Sequence, residues 1–246
     1  FMFRDKIKDR VLVIVFALSL LLTFYFVYFG IGWNVVVSLS DWQELIPSYH
    51  IQGFSQYVKL FHDPVFWKSL SNNLLLFLVI PGTMILGLFL AILLDQKIRG
   101  VGVFRTIYLL PFALSFVVTA TMWAWMYDPT KGILNTILRA CGLGFVANPW
   151  HTRPETVMPA IIIALIWQFS GYAMLIFLAG IKSVPQTQIY AAELDGASVF
   201  KLYRKIVIPQ LKLSFLTAFV VLSIFSLKTF DFIWVLTRGG PGYACL

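Results

Sequence analysis

Two charged side chains lie inside one of the most apolar stretches of this chain. Lys228 and Asp231 occur in "SLKTFDF", three residues apart, so a helix would place them on one side, where they can pair. A lone charge at the centre of a bilayer costs about 2.5–3.5 kcal/mol on insertion scales. Lys228 lies about 20–25 Å along a helix that starts at Leu213, close enough to its end for the side chain to reach the interface. We favour a structural pair or a gate over direct contact with a solute.

A second polar segment, "WQFSGYAM", lies in another apolar run. It offers two aromatic faces, an amide and a hydroxyl, on Trp167, Gln168, Ser170 and Tyr172. These groups suit a sugar, which presents C–H faces and hydroxyl edges, and polar groups inside membrane segments are the default candidates for a transport pathway. The alternative is helix packing, with Ser170 and Gly171 as small contact residues. Both interpretations stay open, as do helix capping and sugar binding for Asn72 and Asn73.

The chain lacks the sequence motifs of common hydrolases. It contains no G-x-x-x-x-G-K-[ST] loop, no H-E-x-x-H and no G-x-S-x-G, so we expect that it does not hydrolyse ATP by itself and predict no catalytic residue. Cys141 and Cys245 form no C-x-x-C pair, which leaves no metal or redox motif. The three histidines fall in loops, which argues against an intramembrane enzyme; they are His50, His62 and His151.

The composition is that of a membrane protein. The chain is 59% hydrophobic and 12% charged, with a mean hydropathy of +0.83, whereas soluble domains have about 25% charged residues. The net charge of +8 is not gathered into one patch, so nucleic acid is not expected as a partner. A spanning helix needs about 20 apolar residues. Five runs qualify, which predicts a single all-α polytopic domain with spans at 11–33, 73–94, 106–127, 157–181 and 213–236.

The basic residues predict how these spans are oriented. Cytoplasmic loops are enriched in Lys and Arg. Twelve basic residues precede the first span or lie between spans 2 and 3 and spans 4 and 5, whereas six lie in the remaining, longer loops. We therefore expect a multi-pass protein of the cell membrane with a cytoplasmic N-terminus. The segment between spans 4 and 5 then faces the cytoplasm.

That segment, residues 183–209, contains two short predicted helices around a turn. Gln186–Leu194 fits about two helical turns, and Asp195-Gly196 ends it because glycine accepts the left-handed conformation of a helix stop. In the second helix, apolar residues recur at i, i+3, i+4 and i+7 and basic residues occupy another side; they are Val199, Leu202, Tyr203 and Ile206, and Lys201, Arg204 and Lys205. The basic helix suits a lipid surface. The first helix, with Glu193 and little apolar face, favours docking to a protein.

The segment resembles the "EAA" loop of binding-protein-dependent ABC importer permeases, whose pattern is E-A-A-x-x-x-G, nine residues, and then I-x-L-P. The matching residues are Ala191, Ala192, Gly196, Ile206 and Pro209. Asp195 matches the sugar-permease version, whereas Tyr190 replaces the first Glu and Ile208 the Leu. Glu193, almost one turn further, can supply a carboxylate. Four other segments are similar to the maltose and glycerol-phosphate type of sugar permease: "FSQYVKLFHDPVFWKSLSNNLLL", "GLFLAILLDQKIRGVGVFRTIYLLP", "DPTKGILNTIL" and "FDFIWVLTRGGPG".

The resemblance implies the transmembrane domain of a type I ABC importer, with a sixth span after Gly242. It implies a second permease subunit, two ATPase subunits that bind ATP and Mg²⁺, and an external sugar-binding protein, all at a lipid bilayer, with no cofactor on this chain. The implied ATPase-coupling residues are Tyr190, Ala191, Ala192, Glu193, Asp195, Gly196, Ile206 and Pro209. The candidate pathway residues are Trp167, Gln168, Ser170, Tyr172, Lys228 and Asp231. The alternative function is an ion-coupled secondary transporter of a small polar solute, which needs an ion-coordinating residue at the midplane.

Overall fold

The computed structural model describes residues 2–42, 48, 50–96, 99–242 and 244–245, with side chains from Val11 onward. Within these ranges the regular structure is helical apart from an antiparallel bridge between Ser40 and Ile51. A π-helical turn, Tyr203–Val207, separates α10 from α11. The α-helices are α1 (Met2–Ser38), α2 (Ser55–His62), α3 (Pro64–Leu76), α4 (Val79–Asp95), α5 (Val101–Ala113), α6 (Phe116–Met126), α7 (Ile133–Ala140), α8 (Pro154–Ser183), α9 (Gln186–Leu194), α10 (Val199–Leu202), α11 (Ile208–Gln210), α12 (Lys212–Leu227) and α13 (Phe230–Thr237).

The first of two compact units is Phe1–Phe66. Its long helix α1 contains the apolar segment Val11–Ser38, which is 28 residues long. At 1.5 Å per residue this segment is about 42 Å long, more than the roughly 30 Å of a bilayer's hydrocarbon core. The hydroxyl of Tyr57 in α2 donates a hydrogen bond to Oγ of Ser38 (2.8 Å), which fixes α2 to the end of α1.

The second unit, Trp67–Leu246, is built around α8. Fifteen of the residues of α8 are buried, and the helix packs against α4, α5 and α12. Glycines allow two of these contacts. A Cβ at Gly87 of α4 would overlap with Ala173, and a Cβ at Gly171 would overlap with the backbone carbonyl of Tyr108 in α5. Small residues that let backbones approach are typical of packed membrane helices.

The structure contains between three and five candidate membrane spans in the part of the chain that it describes. Three are continuous or nearly so: Val11–Ser38, Pro64–Asp95 and Pro154–Ser183. Two more qualify if each bent helix pair is one span. These pairs are Val101–Ala113 with Phe116–Met126, bent by 100°, and Val199–Gln210 with Lys212–Leu227, bent by 68°.

The second span begins earlier than the predicted residue 73. The carboxylate of Asp63 accepts a hydrogen bond from the backbone N–H of Val65 (2.8 Å), and Pro64 occupies the first position of α3. An Asp cap followed by proline is a strong start signal. Asn72 and Asn73 therefore lie inside α3 and cap no helix. The amide of Asn73 donates to the carbonyl of Ser69 one turn earlier (3.0 Å).

The third and fifth predicted spans each contain a break. After α5, Leu114 and Ser115 are extended, and Oγ of Ser115 accepts the N–H of Val118 (3.3 Å) to start α6. In the fifth, α12 ends at Leu227 and α13 begins at Phe230. Apolar runs do not reveal such breaks, because the residues on both sides of each break are equally apolar.

Candidate functional site

Helix α9 covers the predicted range Gln186–Leu194 and ends in a Schellman motif. The backbone N–H of Gly196 donates to the carbonyl of Glu193, and that of Ala197 to the carbonyl of Ala192, both at 3.0 Å. Gly196 has φ +75°, the left-handed conformation that this motif requires at the residue after the C-cap. No heavy atom lies within 4 Å of a Cβ built there, so only the backbone angle demands glycine.

Most side chains of α9 are exposed. Tyr190 is 59% and Leu194 is 89% exposed, and Ala191, Glu193 and the C-cap Asp195 are exposed as well. Ala192 is the buried residue of this helix. The predicted coupling residues of the first helix thus form one accessible surface, with Ala192 on its packed side. A very exposed leucine beside two carboxylates suits contact with another protein.

The second helix differs from the prediction in its periodicity. Leu202, Tyr203 and Val207 are buried, whereas Val199 is 59% exposed and Ile206 is half-buried. The cause is the π-helical turn, in which the N–H of Ile208 bonds to the carbonyl of Tyr203. A π-turn adds one residue, so Val207 replaces Ile206 on the packed side. The basic residues are all exposed, as is Pro209; they are Lys201, Arg204 and Lys205.

A polar network joins α4, α8 and the π-turn beneath α9. Asp95, the last residue of α4, pairs with the ammonium of Lys182 at 3.0 Å and accepts a hydrogen bond from the hydroxyl of Tyr203 at 2.6 Å. The amide of Gln96 donates to the same hydroxyl (2.9 Å). These residues border a cleft of ≈ 470 Å³ that Tyr190 and Glu193 also line. Sequence reasoning missed this network; its one local signal is an acidic residue ending the apolar run "AILLD".

Gln168, a predicted pathway residue, donates a hydrogen bond to a backbone carbonyl at the break between α5 and α6. It is 2% exposed, and its Nε2 donates to the carbonyl of Leu114 (3.2 Å), a group freed where α5 ends. A buried polar group without a partner costs about 1–3 kcal/mol. The Nε2 of Gln168 thus has a structural role, whereas its buried Oε1 has no hydrogen-bond partner in the described part of the chain.

Ser170 also has a packing environment. It is 6% exposed, and its hydroxyl donates to the carbonyl of Trp167 in the preceding turn (2.9 Å). Its neighbour Gly171 lies against the backbone of Tyr108. The alternative stated for this pair, small residues at a helix contact, agrees with these positions.

Trp167 and Tyr172 lie in a cluster of aromatic rings. Trp167 meets Trp123 edge-on with 5.6 Å between centroids. The ring of Tyr172 stacks on Phe112 at 4.8 Å and meets Phe225 edge-on at 6.0 Å. Both predicted residues are half-buried, so each retains some accessible surface. These two remain the pathway candidates on α8.

Lys228 and Asp231 do not form the ion pair that a continuous helix would allow. Both side chains are exposed, and the one ion pair in the described part of the chain joins Lys182 to Asp95. Lys228 is the C-cap of α12, and Asp231 belongs to the first turn of α13. The intervening break removes the i, i+3 geometry on which the pairing was predicted.

Residues 83–244 match the family described as "Binding-protein-dependent transport system inner membrane component". The chain belongs to this family. Its relatives include a probable ABC transporter permease protein of Pyrococcus horikoshii, 62% identical over 91% of this chain and 77% of the relative. A xylose/arabinose import permease protein of Haloferax volcanii is 44% identical over 85% of this chain and 66% of the relative. The resemblance inferred from the sequence is confirmed.

The fold of this inner membrane component is also found in a solved transporter. A crystal structure of a bacterial ABC transporter, described as involved in alginate import, matches with a TM-score of 0.80 and 22% identity, over 100% of this chain and 83% of that one. The predicted fold class, an all-α ABC importer transmembrane domain, is confirmed. The chain is a multi-pass permease subunit of an ABC importer, a transport component and not an enzyme. The ion-coupled alternative receives no support.

Gln168 and Tyr172 should respond differently to replacement by alanine in this inner membrane component. Gln168→Ala leaves the Leu114 carbonyl without its donor, so we expect the yield of folded protein to fall while transport per folded molecule stays near wild type. Tyr172→Ala removes a half-buried ring and should alter substrate-stimulated ATPase activity in the reconstituted complex. Fluorescence-detected size exclusion and ATPase assays measure the two effects. Unchanged stimulation in Tyr172→Ala would assign that ring to packing.

Proposed function

We propose that this permease imports a sugar that an external binding protein delivers, driven by ATPase subunits that dock on α9. The observation that supports this most directly is the exposed surface of α9, whose end is fixed by the turn at Gly196. The chain belongs to a family of binding-protein-dependent transport components. Relatives named for xylose/arabinose and for trehalose/maltose support the substrate class.

The assembly would contain this chain, a second permease subunit, two ATPases and the binding protein. ATP and Mg²⁺ would bind on the ATPases, and the N-terminus would be cytoplasmic, on the same side as α9. Closure of the ATPases around ATP would displace α9, and ATP would shift the equilibrium between inward-open and outward-open states by binding one of them more tightly. Tyr190, Glu193 and the exposed C-cap residue Asp195 would form the surface of α9 that contacts the ATPase.

The basic side of the second helix would lie at the membrane surface. Lys201, Arg204 and Lys205 are exposed, and Phe200, the neighbour of Lys201 in the chain, is 73% exposed. Cations beside exposed apolar side chains suit anionic headgroups above acyl chains. The half-buried rings of Tyr172 and Trp167 would face the sugar path together with the second permease.

Charge reversal at Asp195 tests the docking of the ATPase. The chain is expressed with the transport genes that adjoin its own, tagged and purified. We expect the ATPase to co-purify with the wild type, and Asp195→Lys to reduce its recovery by at least about tenfold, since tenfold corresponds to about 1.4 kcal/mol and a like-charge contact at an interface costs several kcal/mol. Arg153→Glu, a reversal at another exposed loop residue, is the control and should retain the ATPase. Equal recovery in both variants would exclude Asp195 from the contact.

The sugar class is tested by uptake. Proteoliposomes with the complete complex and external binding protein are given labelled xylose, arabinose, maltose or trehalose, with ATP inside. ATP-dependent accumulation of at least one of them is expected. If none of these sugars accumulates while the ATPase still co-purifies in full, the role as a permease stands and these four sugars are rejected as substrates.

A further inference from the structure

The two chain segments that connect α9 to the rest of the protein both end on one carboxylate. Lys182 precedes α9 by four residues and Tyr203 follows it by nine, and both contact Asp95 at the end of α4. The chain from Lys182 to Tyr203 is therefore closed into a ring by noncovalent bonds to a third helix. We call Asp95, Lys182, Tyr203 and Gln96 the Asp95 latch.

We infer that the Asp95 latch passes the displacement of α9 to α4. This inference rests on the proposed function of α9 as the ATPase contact. Without the latch, α9 would be joined to α4 only indirectly, through its flanking loops, the packing of Ala192 and the Gln188–Gln210 bond to α11, and the loops can absorb motion by rotating backbone angles. With both connections bound to Asp95, only residues 183–185 and 195–202 are left to absorb a displacement of α9, and the remainder of the displacement moves the end of α4 or breaks the latch. α4 packs along α8 at Gly87 and Ala173, so the motion reaches the centre of the unit.

The bonds of the latch differ in strength. Tyr203 is 8% exposed, and its 2.6 Å bond to Asp95 has the length of a charge-assisted hydrogen bond, about twice as strong as a neutral one. The side chain of Asp95 is 18% exposed and that of Lys182 is 64% exposed, so water screens the ion pair and its contribution is small. The hydroxyl of Tyr203 is therefore the principal link.

A second tie holds α9 on the side of the π-turn. The amide of Gln210 in α11 donates to the side-chain oxygen of Gln188 in α9 (2.8 Å). The π-turn begins at Tyr203, and single π-turns occur frequently at functional sites. Of the residues that follow α9, Gln210 thus bonds to α9 itself, whereas Tyr203 bonds to Asp95 at the end of α4.

The test compares Tyr203→Phe and Asp95→Asn with the wild type in the complete complex. Proteoliposomes are loaded with ATP, and the sugar imported per ATP hydrolysed is measured with labelled xylose or maltose, whichever the wild type imports. We expect each variant to retain its ATPase subunits. The sugar imported per ATP should fall at least about fivefold, because fivefold is the lower end of the coupling factors between two sites in proteins. The double variant should lose less than the sum of the two single losses, because Tyr203→Phe deletes the hydroxyl of the same bond from which Asp95→Asn, whose amide oxygen still accepts, removes the charge.

Two further variants separate transmission from folding. Tyr108→Phe removes a hydroxyl that makes no hydrogen bond in the described part of the chain and should leave the sugar imported per ATP unchanged. Lys182→Gln should lower the sugar imported per ATP less than Tyr203→Phe does. A wild-type ratio in Tyr203→Phe and Asp95→Asn would overturn the latch, and so would additive losses in the double variant.

A readout without sugar distinguishes failure of the latch from failure of the proposed substrate class. Hydrogen exchange at the amides of α4 is compared with and without ATP in the complex. We expect an ATP-dependent change in the last turns of α4 in the wild type and its loss in Tyr203→Phe. The same change in both would overturn the latch, whichever sugar the transporter imports.

Discussion

A Gly196→Pro variant is expected to enter the membrane normally and to import no sugar. Proline fixes φ near −65°, whereas Gly196 has φ +75°. Proline also lacks the N–H that donates to the carbonyl of Glu193. The Schellman motif at the end of α9 cannot form, so α9 loses its direction relative to the π-turn. Uptake by proteoliposomes and co-purification of the ATPase measure the loss.

Gly196→Asn is the matched control for this variant. Asparagine is the residue that most often replaces glycine in left-handed helix caps, it keeps the backbone N–H, and its Cβ meets no atom within 4 Å. We expect most of the uptake to remain. Normal uptake by Gly196→Pro would contradict the role of α9, whereas equal loss in both variants would mean that a side chain at this position blocks the docked ATPase.

The features of the site that depend on neighbouring residues could be predicted from the sequence. The end of α9 follows from Asp195-Gly196, because a stop signal lies within a few residues of the helix end. The exposed surface of α9 followed from its lack of an apolar face. The π-turn could not be found in this way, since the pattern of Val199 to Ile206 fits an ordinary α-helix equally well.

The features that depend on distant residues could not be predicted. Tyr203 meets Asp95 across 108 positions, and Gln168 meets Leu114 across 54. No local pattern specifies such pairs, because each member is a polar residue at an unremarkable place in its own segment. For the same reason the sequence does not separate the two roles of Gln168: inside a membrane span, a side chain that satisfies a broken helix and one that binds a solute have the same sequence signature.

Gly171→Ala should have the largest effect on the stability of the second unit. The added Cβ would overlap with the carbonyl oxygen and carbon of Tyr108 and approach the Cα of Leu109. These are backbone atoms of α5, so no side-chain rotation relieves the overlap and α5 must move away from α8. Overpacking costs about 1–3 kcal/mol, and about 2–4 °C in Tm correspond to each kcal/mol in a protein of this size. We expect the Tm of the purified protein to fall by roughly 2–12 °C.

Gly82→Ala is the control that separates overlap with backbone from overlap with a side chain. Its Cβ would meet Cδ1 and Cγ1 of the Ile166 side chain, which can adopt another rotamer. Alanine is also about 1 kcal/mol better than glycine in a helix, so the Tm should stay near the wild-type value. Both measurements use the detergent-purified protein in one thermal assay with the same ligand-free buffer. Equal shifts in the two variants would contradict the close approach of α8 and α5 at Gly171, and with it the packing that places Gln168 against the end of α5.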